Sequence, residues 1–207
     1  MIDPDEFEVP AQPIEVNSRW AKLVSDVFSP PVIWAVMVLS IAFYYSETRT
    51  QALIWGLTYI VLVCILPILY IYWMVRRGKI GDIHMKYRHE RWRPFLVSII
   101  CAAIAWIALQ AMNAPAIISL VAGVTLVQLA VMMIITFWWQ ISIHAMSVMV
   151  AVIATGMVFG TGPALVVSPL LPLVGAARLR LQRHTLAQVI AGALVGAAIP
   201  AILWMLS

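Results

Sequence analysis

Residues 51–93 read QALIWGLTYIVLVCILPILYIYWMV-RRGKIGDIHMKYRHERWR, and the boundary between Val75 and Arg76 decides the fold. The first part, Gln51 to Val75, is an apolar run without a charge. It exceeds the roughly 20 residues that a helix needs to cross a bilayer core, and its extra length allows tilt. The second part, Arg76 to Arg93, is the most polar segment of the chain. A further apolar run, Pro94 to Met112, follows at once. Two such runs joined by a basic loop form a helical hairpin in a membrane.

The whole chain extends this pattern. Of its 207 residues, 63% are hydrophobic and 11% charged, with a mean hydropathy of +0.97. Soluble globular domains carry about 25% charged residues, so most of this surface must face lipid. Further apolar runs are Pro30–Tyr45, Ala116–Trp138, Ala145–Phe159, Ala164–Ala177 and Thr185–Leu206. The amphipathic stretch Trp20–Phe28 precedes the first and suits the membrane interface. Asn113-Ala114-Pro115 and Gly160-Thr161-Gly162-Pro163 are turn signals. Pro169 and Pro172 make Ala164–Ala177 the weakest span. The expected fold class is all-α, a polytopic transmembrane helical bundle of about six to seven spans. It forms a single domain over residues 19–207, after an acidic mobile tail at 1–18. That tail holds Asp3, Asp5, Glu6, Glu8 and Glu15 and lacks the basic start and apolar centre of a signal peptide. Cys64 and Cys101 lie inside apolar runs and read as small buried hydrophobes. No close set of soft or imidazole ligands suggests a metal site.

Three polar segments interrupt the spans: 76–93, 139–144 and 178–184. Two spans separate each from the next, so all three are expected on one face. The same count places Arg19, Lys22, Arg76, Arg77, Lys79, Lys86, Arg88, Arg91, Arg93, Arg178, Arg180 and Arg183 there, and only Arg49 opposite. The positive-inside rule makes that face cytoplasmic. For Arg76, Arg77 and Lys79 the plain reading suffices: they hold orientation and meet anionic headgroups.

Three sets of residues ask for more. They are Lys86-x6-Arg93-Pro94, Ser142-x-His144 and Arg178-x5-His184. Phosphoryl transfer at a membrane surface needs cations for the phosphate oxygens, which Arg meets with a planar fork. It also needs a nucleophile and an acid for the leaving alkoxide, jobs that two histidines can divide. In order and spacing, these sets resemble the motifs K-x6-R-P, P-S-G-H and S-R-x5-H-x3-D of the type 2 phosphatidic acid phosphatase family, which also includes vanadium haloperoxidases. The resemblance spans roughly residues 76 to 200 and is closest to compact bacterial branches with relaxed second and third motifs.

The resemblance implies a metal-independent, cofactor-free membrane phosphatase. Lys86, Arg93 and Arg178 would bind phosphate oxygens, with a hydrogen bond from Ser142. His184 would be the nucleophile, passing through a phosphohistidine, and His144 the general acid. The expected substrates are phosphatidate, phosphatidylglycerophosphate or prenyl and polyprenyl (di)phosphates. The expected partners are that lipid and the bilayer, without nucleic acid. The expected location is a bacterial inner membrane with the site on its cytoplasmic face.

The sequence departs from the family pattern at Gln188, where an Asp is usual. Gln188 shares a helix face with His184 and can fix its tautomer, but it brings no charge. Asp82 or Glu90 are candidate substitutes. Ile143 stands in place of Gly, and Ala177 in place of Ser. A catalytically degenerate scaffold or anionic-lipid binder of the same fold is the alternative. A transporter lacks support from inverted repeats, and a haem protein using the paired His144 and His184 is a further alternative. His84 and His89 read as solvated interfacial groups. Trp20, Trp92, Trp138 and Trp139 read as interfacial anchors. Gln128, inside a span, is expected to make an interhelical hydrogen bond. The small residues Ala191-Gly192-Ala193 and Gly196-Ala197-Ala198 suit close helix packing.

Overall fold

The computed structural model describes residues 18–81 and 90–206. The expected tail up to Asn17 and the loop residues Asp82, His84, Lys86 and His89 lie outside them. The described residues form an all-α bundle. Helix α1 (Arg19–Val27) meets α2 (Pro30–Tyr45) at a bend of 41°. Pro30 and Pro31 occupy the first turn of α2, where a missing N–H costs nothing. α3 (Arg49–Tyr59) starts on a capping box: Thr48 Oγ1 accepts from Gln51 N–H, and Gln51 Oε1 accepts from Thr48 N–H, both at 3.2 Å. A π-helical segment, Ile60–Ile65, carries it into α4 (Leu66–Arg76) as one continuous span of 28 residues.

α5 (Trp92–Ala111) and α6 (Ala116–Thr136) form the next hairpin. Its turn falls at the expected Asn113-Ala114-Pro115, with Asn113 at φ 52°. α7 (Ile143–Phe159) follows. Gly160, at φ 94°, then reverses the chain into α8 (Thr161–Val167) and α9 (Leu170–Arg180). Together α8 and α9 make a span of 20 residues. It survives Pro169 and Pro172 because they cap and open α9 instead of interrupting its middle. α10 (Leu186–Leu206) closes the bundle.

Among the described residues five continuous helices are long and apolar enough to cross a membrane, and the bent α1–α2 pair, taken as one span, makes six. α7 is a shorter apolar helix of 17 residues, about 25 Å long. Large hydrophobic side chains such as Val36, Leu57, Ile107, Leu165, Val166 and Leu194 are exposed around the bundle, as a lipid-facing surface requires. Trp20, Trp92, Trp138 and Trp139 are exposed near helix ends.

Two glycines set the tightest seam. α10 packs most extensively on α7. A Cβ on Gly192 would strike the Ser142 carbonyl, and one on Gly196 the Met146 carbonyl. The backbones therefore touch, as small residues allow within a membrane. Elsewhere in the core an interhelical polar pair places Tyr59 Oη 2.7 Å from Thr125 Oγ1. Gln128 departs from expectation. It is fully buried, yet neither amide atom finds a hydrogen-bond partner among the described residues. The neighbouring Thr125, one turn away on the same face, takes the tyrosine instead.

Candidate functional site

Described residues from all three polar segments meet at one end of the bundle. They line a cleft of about 430 Å³ formed by Arg91, Gln140, Arg178, Leu179, Gln182, Arg183, His184, Thr185 and Gln188. This is the common face expected from counting spans.

The α9–α10 connection builds most of it. α9 ends in a Schellman motif: Gln182 N–H donates to Leu179 C=O at 2.9 Å, and Arg183 N–H to Arg178 C=O at 3.1 Å. Gln182 takes the left-handed position at φ 52°, where glycine is usual. The reversal sets Arg178 and Arg183 on the same cleft. Thr185 and Gln188 then open α10 with a capping box. Thr185 N–H donates to Gln188 Oε1 at 2.9 Å, and Gln188 N–H to Thr185 Oγ1 at 3.4 Å.

His184 sits directly before that cap. Its Nδ1 lies 3.3 Å from Gln188 Oε1, which realises the expected orientation of the ring by Gln188. The same oxygen therefore serves both the helix cap and the imidazole. His184 is buried, and burial pushes its imidazole down to about 4. Arg178 and Arg91 push in the same direction, while hydrogen bonds to Gln188 and to the Gln140 backbone partly oppose them. The ring is neutral across the ordinary pH range.

Arg178 is buried, and its Nη1 donates to Ser25 Oγ at 2.7 Å. Arg91 caps α5 and is buried too. With the Gln140 amide oxygen turned toward it, Gln140 accepts from Arg91 Nη2 at 2.7 Å and Nε at 2.8 Å. Burial, then repulsion from Arg183, lowers the Arg91 guanidinium to about 10, against the opposing pull of Glu90. Three guanidiniums thus surround a cleft with no carboxylate among the described residues that line it. Such a site favours an anion, above all one with several oxygens to accept planar donors.

Of the residues expected from sequence, His184, Arg178 and Gln188 line this cleft. Arg93 does not. It is exposed and lies over the Trp92 ring at 5.0 Å. α5 begins at Trp92, so residues 91 and 93 point about 200° apart around its axis, and Arg91 takes the inner position. Ser142 is fully buried as the N-cap of α7, its Oγ accepting from Ala145 N–H at 3.3 Å and its N–H donating to Gln188 C=O at 3.0 Å. His144 is buried in the first turn of α7 and is not part of the cleft lining. Lys86 lies outside the described residues. Glu90 does not reach His184; its Oε1 accepts from Gly81 N–H at 2.9 Å.

No family model, curated protein or solved structure matches this chain. Its site therefore has to be judged on its own geometry. Arg91, Arg183 and Gln140 enter that site without having been singled out in the sequence. Arg91 had a signal, because it stands at the start of an apolar run where a helix must begin. Arg183 was visible only as one of several basic loop residues. Among the described residues no three His, Cys, Asp or Glu side chains converge as metal ligands.

Proposed function

We propose that this protein is a membrane phosphatase acting on a lipid phosphate monoester or diphosphate. One observation carries the reading: a neutral His184, oriented by Gln188, faces a cleft ringed by Arg91, Arg178 and Arg183. The resemblance to the type 2 phosphatidic acid phosphatases supports the same chemistry. In this reading the three guanidiniums bind the phosphate oxygens and neutralise the charge that moves during transfer. The His184 tautomer with its proton on Nδ1, donated to Gln188 Oε1, leaves the Nε2 lone pair for attack. A P–N bond forms as the P–O bond to the lipid breaks, and the alkoxide takes a proton. Water then attacks the phosphohistidine, releasing inorganic phosphate and restoring the imidazole.

The family pattern gives the leaving-group proton to His144. Its ring lies outside the cleft lining, so a substrate oxygen must reach the first turn of α7 to receive that proton. Ser142, whose hydroxyl caps α7, binds the substrate in this reading only through the helix end it stabilises. A lipid enters sideways, its head in the cleft and its tails among the exposed apolar faces. In this reading the cleft faces the cytoplasm from a bacterial inner membrane, and the basic bias of that end supports the orientation.

The uncharged Gln188 favours a second reading, an anionic-lipid-binding scaffold of the same fold. Phosphate release from phosphatidate, phosphatidylglycerophosphate and prenyl diphosphates in nanodiscs separates the two. The enzyme reading expects release by wild type and none by His184→Ala. Equal release from both, or none from wild type that still binds the lipids, overturns it.

A further inference from the structure

Arg178 is held from outside the three polar segments. Ser25, 153 positions earlier in the chain, accepts a hydrogen bond from its Nη1 at 2.7 Å. Ser25 belongs to α1, the first arm of the bent α1–α2 pair, and is 1% exposed. It is not a surface contact made in passing. α1 packs along α9, with Ala21 and Ser25, one helical turn apart, as its buried small residues. Val24 is half-buried against the core, while Arg19, Lys22 and Asp26 are exposed, as are Trp20, Leu23 and Val27. A small residue at 25 lets the two helices approach, and its hydroxyl meets the one guanidinium that α9 brings to the cleft.

An arginine side chain is long and rotates freely, whereas its guanidinium binds an oxyanion only in a fixed plane. A hydroxyl on one Nη fixes that plane. We propose that Ser25 is a positioning residue for the anion cleft. It orients Arg178 toward a bound phosphate, so that docking of α1 on α9 sets the affinity for the anion. This rests on the phosphate-binding reading of the cleft. It adds a determinant from a segment that carries none of the motifs. By linkage, a bound phosphate must tighten the α1–α9 contact in equal measure.

The test is calorimetric binding of inorganic phosphate to the full chain in detergent, with thermal unfolding of each variant alongside. Ser25→Ala should weaken phosphate binding about tenfold, the scale of one hydrogen bond to a charged group. Ser25→Thr and Ser25→Val have the same shape and differ by a hydroxyl. The Thr variant should bind phosphate more tightly than the Val variant even if both lower the unfolding temperature equally. In an Arg178→Lys background, the Thr and Val variants should bind alike. Equal affinity for Ser25→Thr and Ser25→Val in the wild-type background overturns the positioning role, as does the same Thr–Val difference after Arg178→Lys. Wild type that binds no phosphate overturns the cleft reading and this one with it. Wild type that binds phosphate, with Ser25→Ala unchanged, overturns the positioning role alone.

Discussion

Gln188→Asp places a negative charge beside His184, and its first effect should be on the proton affinity of that imidazole. Gln188 Oε1 lies 3.3 Å from Nδ1. A carboxylate about 4.5 Å from the ring centre, at an effective dielectric of about 20, attracts an imidazolium by roughly 4 kcal/mol. The cleft opens to water, so about half of that is expected, or one to two units at about 1.4 kcal/mol each. His184 should rise from about 4 toward the range of an ordinary histidine. Stability should change with it. In the wild type the unfolded chain binds a proton near pH 6.5 that the folded protein resists until about 4. Stability is therefore full above about pH 6.5 and falls as the pH drops through that window, by up to about 3 kcal/mol. Gln188→Asp should flatten this fall. The chain has four histidines, so NMR titration of ¹³C-labelled imidazoles in nanodiscs, with His184→Ala for assignment, reads the shift directly. In an active enzyme the acid limb of kcat/KM should move upward in parallel. A wild-type His184 titrating near 6.5, or a variant titrating no higher than wild type, would refute the account of burial and missing charge.

Other substitutions test neighbouring parts. Arg91→Gln should weaken phosphate binding by about one to two orders of magnitude, the scale of a lost charged contact in a buried site. Arg93→Gln should change it less than about twofold, and calorimetry that finds the reverse ranking would restore Arg93 to the cleft. Gln128→Leu removes two buried amide atoms without partners, and should raise stability by about 1–2 kcal/mol in thermal unfolding. A loss of stability would show that the amide is satisfied. Gly192→Ala should destabilise by about 2 kcal/mol or more, because the new methyl meets the Ser142 carbonyl and backbone cannot yield cheaply. It should also weaken phosphate binding, since the same helix carries Gln188.

The spans were legible because hydrophobic length is a direct physical requirement of the bilayer. Counting them also put the segments 76–93, 139–144 and 178–184 on one face, and residues of all three line the cleft. The weak span at Ala164–Ala177 proved longer, Thr161–Arg180, because its prolines fall at a helix start, which composition alone does not reveal. The cleft was legible only in part. Spacing within a motif says which residues recur together, but not which way each points. The K-x6-R-P spacing pointed to Arg93, whereas the start of α5 turns Arg91 into the cleft and Arg93 outward. Ser142 and the pair Thr185 and Gln188 also carry ordinary helix-start signatures, S-x-x and T-x-x-Q. For Ser142 the cap is the geometry observed, and for Gln188 the cap and the imidazole share one oxygen. Ser25 had no signal at all, because its contact with Arg178 depends on how α1 lies across α9.

The glycine seam between α10 and α7 has a mechanical consequence. Membranes differ in thickness, and helices respond by tilting or shifting at modest cost per ångström. α7 is short for a bilayer core of about 30 Å and is the helix most exposed to that demand. It cannot slide alone, because Gly192 and Gly196 seat α10 on the carbonyls of Ser142 and Met146, and Ser142 N–H grips Gln188 C=O just above. A change in bilayer thickness must therefore move the pair as one rigid piece, keeping Gln140, His184 and Gln188 in mutual register. What varies is the height of that piece against α5, which carries Arg91. Lipid composition would then act on this cleft as a vernier, adjusting one guanidinium against an imidazole whose own mount stays fixed.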